Sequence, residues 1–317
     1  LRNVFTSSGG MPHYLSYVLE TIKRNDLTVE LDNGLIGLKS SESAESKLGF
    51  KSVNDLLLYR LDALDSSVRT TLHLAAVLGT EFDLLDAALT YEEMFDVIDS
   101  DRFQSAMELC AHFDVAEKEG ILEHVVSSTK HDQDEFGDPA DEEGNLCAGL
   151  EDVFISPSGR KSHPLYSDNR RYRFTHDSWK TSILSVMLDG RKEEMHEQIA
   201  TVLEREIVEE TESKDDLELQ IHVFKHWNLS GNFTKAAELA LMIGGQLMIL
   251  GLNSQADLLF SDVIVSLKNE QGGVSYGDIS SSVLDALEPA ELELLIKVYI
   301  AKGKALCNLA KGRAGAE

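Results

Sequence analysis

Between Ile121 and His176 the chain passes from a β-rich stretch through a long acidic excursion to a second β-rich stretch, with helical patterns on both sides. No other feature constrains the fold as tightly. The first stretch, "ILEHVV", follows a helix that stops at Gly120, and the second is "RRYRFTH". Residues 127–170 have no periodicity, and their first part, "SSTKHDQDEFGDPADEEGNLCAGL", carries seven acids against one lysine. Such a composition buries too little apolar surface to order itself, so 127–170 is expected to be a disordered insertion. Two strands joined by a long excursion and enclosed by helices have the layout of a winged-helix domain with an enlarged wing.

The flanking helices are legible from their punctuation. "SVNDLLLYRLDALDSSVRTTLHLAAVLGTEF" reads as two helices, the first capped by Ser52, the second by Asp65 or Ser66, with Gly79 as the stop. A short helix at "DLLDAAL" and a longer one at "DRFQSAMELCAHFDVAEKEG" follow. Upstream, "GGMPHYLSYVLETIKRN" places Tyr14, Leu15, Val18, Leu19 and Ile22 at helical spacing. Residues 26–50 suggest a short hairpin and then a Ser- and Glu-rich loop. Beyond the insertion come helices at "DSWKTSILSVML" and "GRKEEMHEQIATVLEREIVEE".

From about residue 214 the pattern is helical throughout: a helix, a Gly231-Asn232 turn, a helix, a break at Gly244-Gly245, then further helices. "NEQGGVSYGDISSS" reads as a loop, and "PAELELLIKVYIAKGKALCNLA" as the start of another helix pair. "HWNLSGNFTKAAELA" resembles the tetratricopeptide pattern, and "GLNSQADLLF" repeats its turn-and-alanine logic more weakly. The expected architecture is therefore mainly α: a winged-helix domain with a small β wing, followed by a TPR-like α-solenoid. Residues 51–213 form the winged-helix region, 214–317 the repeats, and 1–50 the end of a preceding domain.

Charge excludes some functions. The formal net charge is −26, from 55 acidic and 29 basic residues, so nucleic acid and anionic membrane are both repelled. The short helix "DLLDAAL", the candidate recognition helix of a winged helix, bears no Lys or Arg. No stretch approaches the roughly 20 apolar residues of a membrane span. Cys110, Cys147 and Cys307 are far apart and odd in number, which fits a reducing, cytoplasmic setting. The chain opens on Leu1 and is expected to be a piece of a longer protein.

No complete phosphate-binding loop, G-x-S-x-G, H-E-x-x-H or C-x-x-C occurs, so catalysis carried wholly by these residues is not expected. Two short motifs are of interest. Gly10-Met11-Pro12 opens a helix, which is ordinary helix-start chemistry or, beside a nucleotide, a proline that packs on a base. His176-Asp177 opens another. Asp177 can cap that helix, and a helix N-terminus with an adjacent His can also hold a phosphate. The other clusters have plainer readings. His131, Asp132, Asp134 and Glu135 belong to the acidic insertion. His222 and His226, one turn apart beside Trp227, read as packing between repeats. Arg191, Lys192 and His196 read as a solvated helix face.

The order of these pieces resembles the C-terminal half of a STAND-type signalling ATPase. In that family an AAA-like nucleotide-binding core is followed by a helical lid, a winged helix and a helical-repeat sensor. The resemblance covers roughly residues 9–268 apart from the insertion. The pattern around "RF…RK--MH--IA--LE" is also similar to the regulatory region of soluble class III adenylyl and guanylyl cyclases and related multidomain kinases. It implies that residues 1–50 end an ATPase core and lid, and that ATP or ADP is the cofactor, shared with a core upstream of Leu1. Gly10 and Pro12 then match the family's Gly-x-Pro, whose proline contacts adenine. His176 and Asp177 match the His-Asp pair, whose histidine touches the β-phosphate of ADP. Thr175 departs from the Met or Leu common before that pair. The implied partners are a protein or signalling ligand on the repeats, with an oligomeric active state left open. The alternative from a different class is a protein-interaction module with no nucleotide role.

Overall fold

The computed structural model describes residues 14–16, 19, 22–23, 28–30, 36–38, 52–98, 101–125, 165, 170–209, 217–269, 284–285 and 287–314. The expected insertion apart from Leu165 and Arg170, the loop at 270–283, and Gly10, Met11 and Pro12 lie outside them. The described chain is mainly helical, with two small sheets. Its contacts divide it into two units that do not follow chain order. One comprises Leu1–Glu81, Cys110–Val125 and Tyr172–Val186, and the other Phe82–Leu109, Val126–Arg171 and Met187–Glu317.

In the first unit, β1 (Thr28–Glu30) and β2 (Ile36–Leu38) form an antiparallel hairpin, with Val29 opposite Gly37. Helix α1 (Val53–Asp62) starts as its sequence dictates. The Ser52 hydroxyl accepts from the Asp55 amide at 3.1 Å and the Asp55 carboxylate accepts from the Ser52 amide, a closed capping box. Helix α2 (Ser66–Leu78) has Asp65 at its cap position without a side-chain cap bond, and Gly79 ends it. Helix α4 (Arg102–Lys118) crosses the division between the units, and Gly120, at φ +69°, turns its end into β4 (Leu122–Val125). A side chain there would strain the left-handed backbone that lets the Ile121 amide reach the Ala116 carbonyl.

Strand β5 (Arg171–Phe174) lies between β4 and β3 (Glu81–Asp83) in a three-stranded sheet. Its sequence alternates as a half-buried strand must, with Tyr172 and Phe174 inward and Arg171 and Arg173 outward. Arg173 pairs with Glu123 at 2.7 Å. Inside, Phe113 packs on Tyr172 with ring centroids 5.0 Å apart. Helix α5 (Asp177–Val186) drops the fully buried Trp179 and Ile183 against α1 and α2.

The second unit contains α3 (Leu84–Phe95), α6 (Asp189–Glu209), α7 (Leu217–Leu229), α8 (Phe233–Ile249), α9 (Asn253–Asn269) and α10 (Pro289–Ala314). Helix α3 runs beyond "DLLDAAL" and is stopped by Asp96 in the left-handed region, φ +48°. From α6 onward each helix packs on the next, and α7 also touches α9 as α8 touches α10. Asn232 caps α8 by accepting the Lys235 amide at 3.1 Å, directly after Gly231 at φ +80°.

One expectation changes here. Gly244-Gly245 does not break the chain, because α8 runs straight through it. Ala236, Ala237, Ala240 and Gly244 are all buried, and a Cβ on Gly244 would fall 2.7 Å from Phe260 Cε1. The glycine is there to admit the Phe260 ring of α9 against the helix backbone. The segment read as the start of a helix pair is one helix, α10, with Gly303 inside it and nothing within 4 Å of where its Cβ would be.

Candidate functional site

The segment leading to α5 is built from its backbone outward. The Phe174 amide donates to the Thr80 carbonyl and the Thr175 amide to the Ile121 carbonyl, each at 3.0 Å. The Thr175 hydroxyl donates to the Gly120 carbonyl at 2.8 Å, which fixes the turn just ahead of His176. A Met or Leu could not make that bond, so Thr175 has a local structural reason.

His176, not Asp177, caps α5. The Ser178 amide donates to His176 Nδ1 at 3.1 Å, so the imidazole does what an Asn or Ser side chain does at a helix start. Asp177 is the first residue of the helix. Its charge favours that end, and its carbonyl accepts the Thr181 hydroxyl at 3.0 Å. Burial pulls the Lys180 ammonium below its usual range, and nearby Asp177 partly offsets this.

The same Nδ1 lies 2.8 Å from the hydroxyl of Tyr14, and the two rings meet edge to face with centroids 5.2 Å apart. Two donors converge on Nδ1, which assigns the ring proton to Nε2 and makes Nε2 a donor. Tyr14 is 2% exposed, whereas His176 and Asp177 are exposed. A neutral imidazole held from behind, with a donating Nε2 at a helix N-terminus, is chemically suited to an anion. The sequence marks Tyr14 only as an apolar helical position. Its partner is 162 residues away, so no local signal could have revealed the contact. Gly10 and Pro12, just upstream of Tyr14, lie outside the described residues.

One histidine of the second unit also differs from expectation. His196 is not simply on a solvated face: its Nδ1 shares a hydrogen bond with His226 Nδ1 at 2.9 Å. His226 Nε2 in turn meets His222 Nε2 at 3.2 Å. His226 is 3% exposed and turns its two ring nitrogens to opposite neighbours, so the trio cannot converge on one ion. Arg191 and Lys192 do keep to the surface, paired with Glu194 and Asp189. His131, Asp132, Asp134 and Glu135 lie outside the described residues. Among the described residues no group of three or more His, Cys, Asp and Glu could hold a metal, and no helix is long and apolar enough to cross a membrane.

No family model, curated protein or solved structure matches this chain.

Proposed function

We propose that this chain is the regulatory segment of a STAND-type ATP-binding signalling protein, in which a lid, a winged helix and a TPR-like arm couple nucleotide state to sensing. The observation that carries the reading is the 2.8 Å bond between Tyr14 and His176. Two motifs chosen for nucleotide chemistry lie far apart in sequence, yet a residue two positions past Pro12 touches the histidine of the other. A three-stranded sheet with its last strand central, enclosed by helices, supports the winged-helix assignment. Helices that pack on both the next and the next-but-one support a repeat arm.

In this mechanism ADP bound to an upstream core meets Nε2–H of His176 at the start of α5. That contact favours a closed form, and a partner on the repeats favours an open one, so each ligand weakens the other by the same factor. The effector joined to such a switch could be a purine nucleotide cyclase or a kinase. The test is the nucleotide content of the polypeptide carrying both core and segment, comparing wild type with His176→Ala. ADP on the wild type and its loss from the variant support the switch. Equal occupancy of both, or no nucleotide on either, leaves His176 as a helix cap and favours the interaction-module reading.

A further inference from the structure

His226 stands between two other histidines, and hydrogen-bond chemistry limits how many protons the three can hold. His226 is 3% exposed. Its Nδ1 lies 2.9 Å from Nδ1 of His196 on α6, and its Nε2 lies 3.2 Å from Nε2 of His222, one turn earlier on α7. Each N···N contact needs one proton and one lone pair. When all three imidazoles are neutral they carry three protons and three lone pairs on six ring nitrogens, and both contacts close. One added proton leaves two lone pairs, and both contacts still close, with His226 donating from both nitrogens. A second added proton leaves a single lone pair for two contacts. One contact then sets N–H against N–H, and two rings are cationic in a chain whose neighbouring centroids are 5.0 and 4.9 Å apart. The closed trio therefore holds one extra proton and no more.

Neighbouring charges set the pH of the first uptake but not that limit. On the trio's own helices, Lys192 and Glu193 precede His196 by one turn and Glu197 adjoins it, while Glu218 precedes His222 by one turn and Lys225 adjoins His226. Helices α3, α8 and α9 pack against α6 or α7. Glu93 of α3 pairs with Arg205 of α6. Lys235 of α8 pairs with Glu204 of α6 and stands over the Trp227 ring, and Glu238 follows it one turn on. On α9, Asp257 pairs with Lys302, and Asp262 lies in the field of Lys225 and Lys302. A carboxylate raises the pH of uptake and an ammonium lowers it. Neither gives an N···N contact the lone pair it lacks.

We propose that His196, His226 and His222 form an acid-sensitive latch between α6 and α7, closed with at most one extra proton and opened by the second. Once the latch is open, each histidine takes its own proton near its ordinary value of about 6.5. Below that pH the open state binds up to two more protons than the closed one. The seam is therefore firmest above about pH 7 and weakens as pH falls toward about 5, the opening equilibrium rising by up to about a hundredfold per pH unit. The latch does not rest on any nucleotide role. A contact that only packs the two helices would have no such pH dependence.

Glutamine does not titrate, and its carbonyl accepts from an imidazole N–H. The proton excess of the open state drops to one in His196→Gln or His222→Gln, and to none in H196Q/H222Q. The test is hydrogen exchange of the α6 and α7 amides in this chain from about pH 7.5 to about pH 5, corrected for the intrinsic pH dependence of exchange. Below about pH 6 the opening constant of the wild type should climb up to about a hundredfold per pH unit more steeply than that of the double variant, with each single variant up to about tenfold. In parallel, nitrogen NMR of labelled histidine in the wild type should show one extra proton on the trio while both helices stay protected. The same pH dependence in wild type and double variant overturns the proposal. So does a wild type in which all three histidines charge while α6 and α7 remain protected, a result that requires no variant to fold.

Discussion

The Tyr14 hydroxyl lies 2.8 Å from Nδ1 of His176, across 162 positions of sequence. The bond joins the first helical segment to the cap of α5 and fixes the tautomer of the imidazole. Because the same Nδ1 also takes the Ser178 amide, one histidine both starts a helix and is aimed by a distant tyrosine.

Tyr14→Phe keeps the buried ring and removes only the hydroxyl, so it should cost about 0.5–1.5 kcal/mol in urea unfolding. His176→Asn keeps a side chain that caps well and loses the tyrosine contact. The two changes should be non-additive, the double variant costing less than the sum. Strict additivity would show that the two side chains do not interact in solution.

Arg60 is 7% exposed, donates to the Glu119 carbonyl at 2.8 Å and stands over the Trp179 ring at 5.7 Å. Arg60→Met should cost about 2–4 kcal/mol, the sum of a charge-assisted bond and a cation–π contact. Lysine has no planar fork and should recover little of it. Chemical denaturation measures this, and a loss below about 0.5 kcal/mol would contradict the role assigned to Arg60.

The two adjacent glycines of α8 should respond with opposite signs in thermal unfolding. Gly244→Ala drives a methyl into Phe260 and should cost about 1–3 kcal/mol. Gly245 has nothing within 4 Å of its Cβ position, so Gly245→Ala should gain about 0.5–1 kcal/mol of helix propensity. Equal responses would mean that α8 and α9 do not approach as described.

His226→Phe retains an aromatic ring but gives His196 and His222 no nitrogen to pair with. It should cost about 1–3 kcal/mol, and hydrogen exchange should rise first in α6 and α7, which the trio joins. Unchanged protection in both helices would contradict the histidine chain.

Features with short-range causes were legible in the sequence: the Ser52 cap, the stop at Gly79, the Gly231-Asn232 turn and the strand at "RYRF". Those decided by distant packing were not. Gly244-Gly245 looks like a break until Phe260 is placed against it. Strand β3 is three residues long, too short to show a period. Asp177 looks like the better cap on composition, but the imidazole of His176 reaches the Ser178 amide. His196 carries no mark of its contact with His226, because the two lie on different helices.

The most direct test of the proposed nucleotide role of His176 is chromatography of the nucleotide released on denaturing the parent polypeptide, proposed to carry an ATPase core ahead of this chain. ADP in the wild type and its loss in His176→Ala are the predicted results. The same ADP content in both proteins would contradict a nucleotide role for His176.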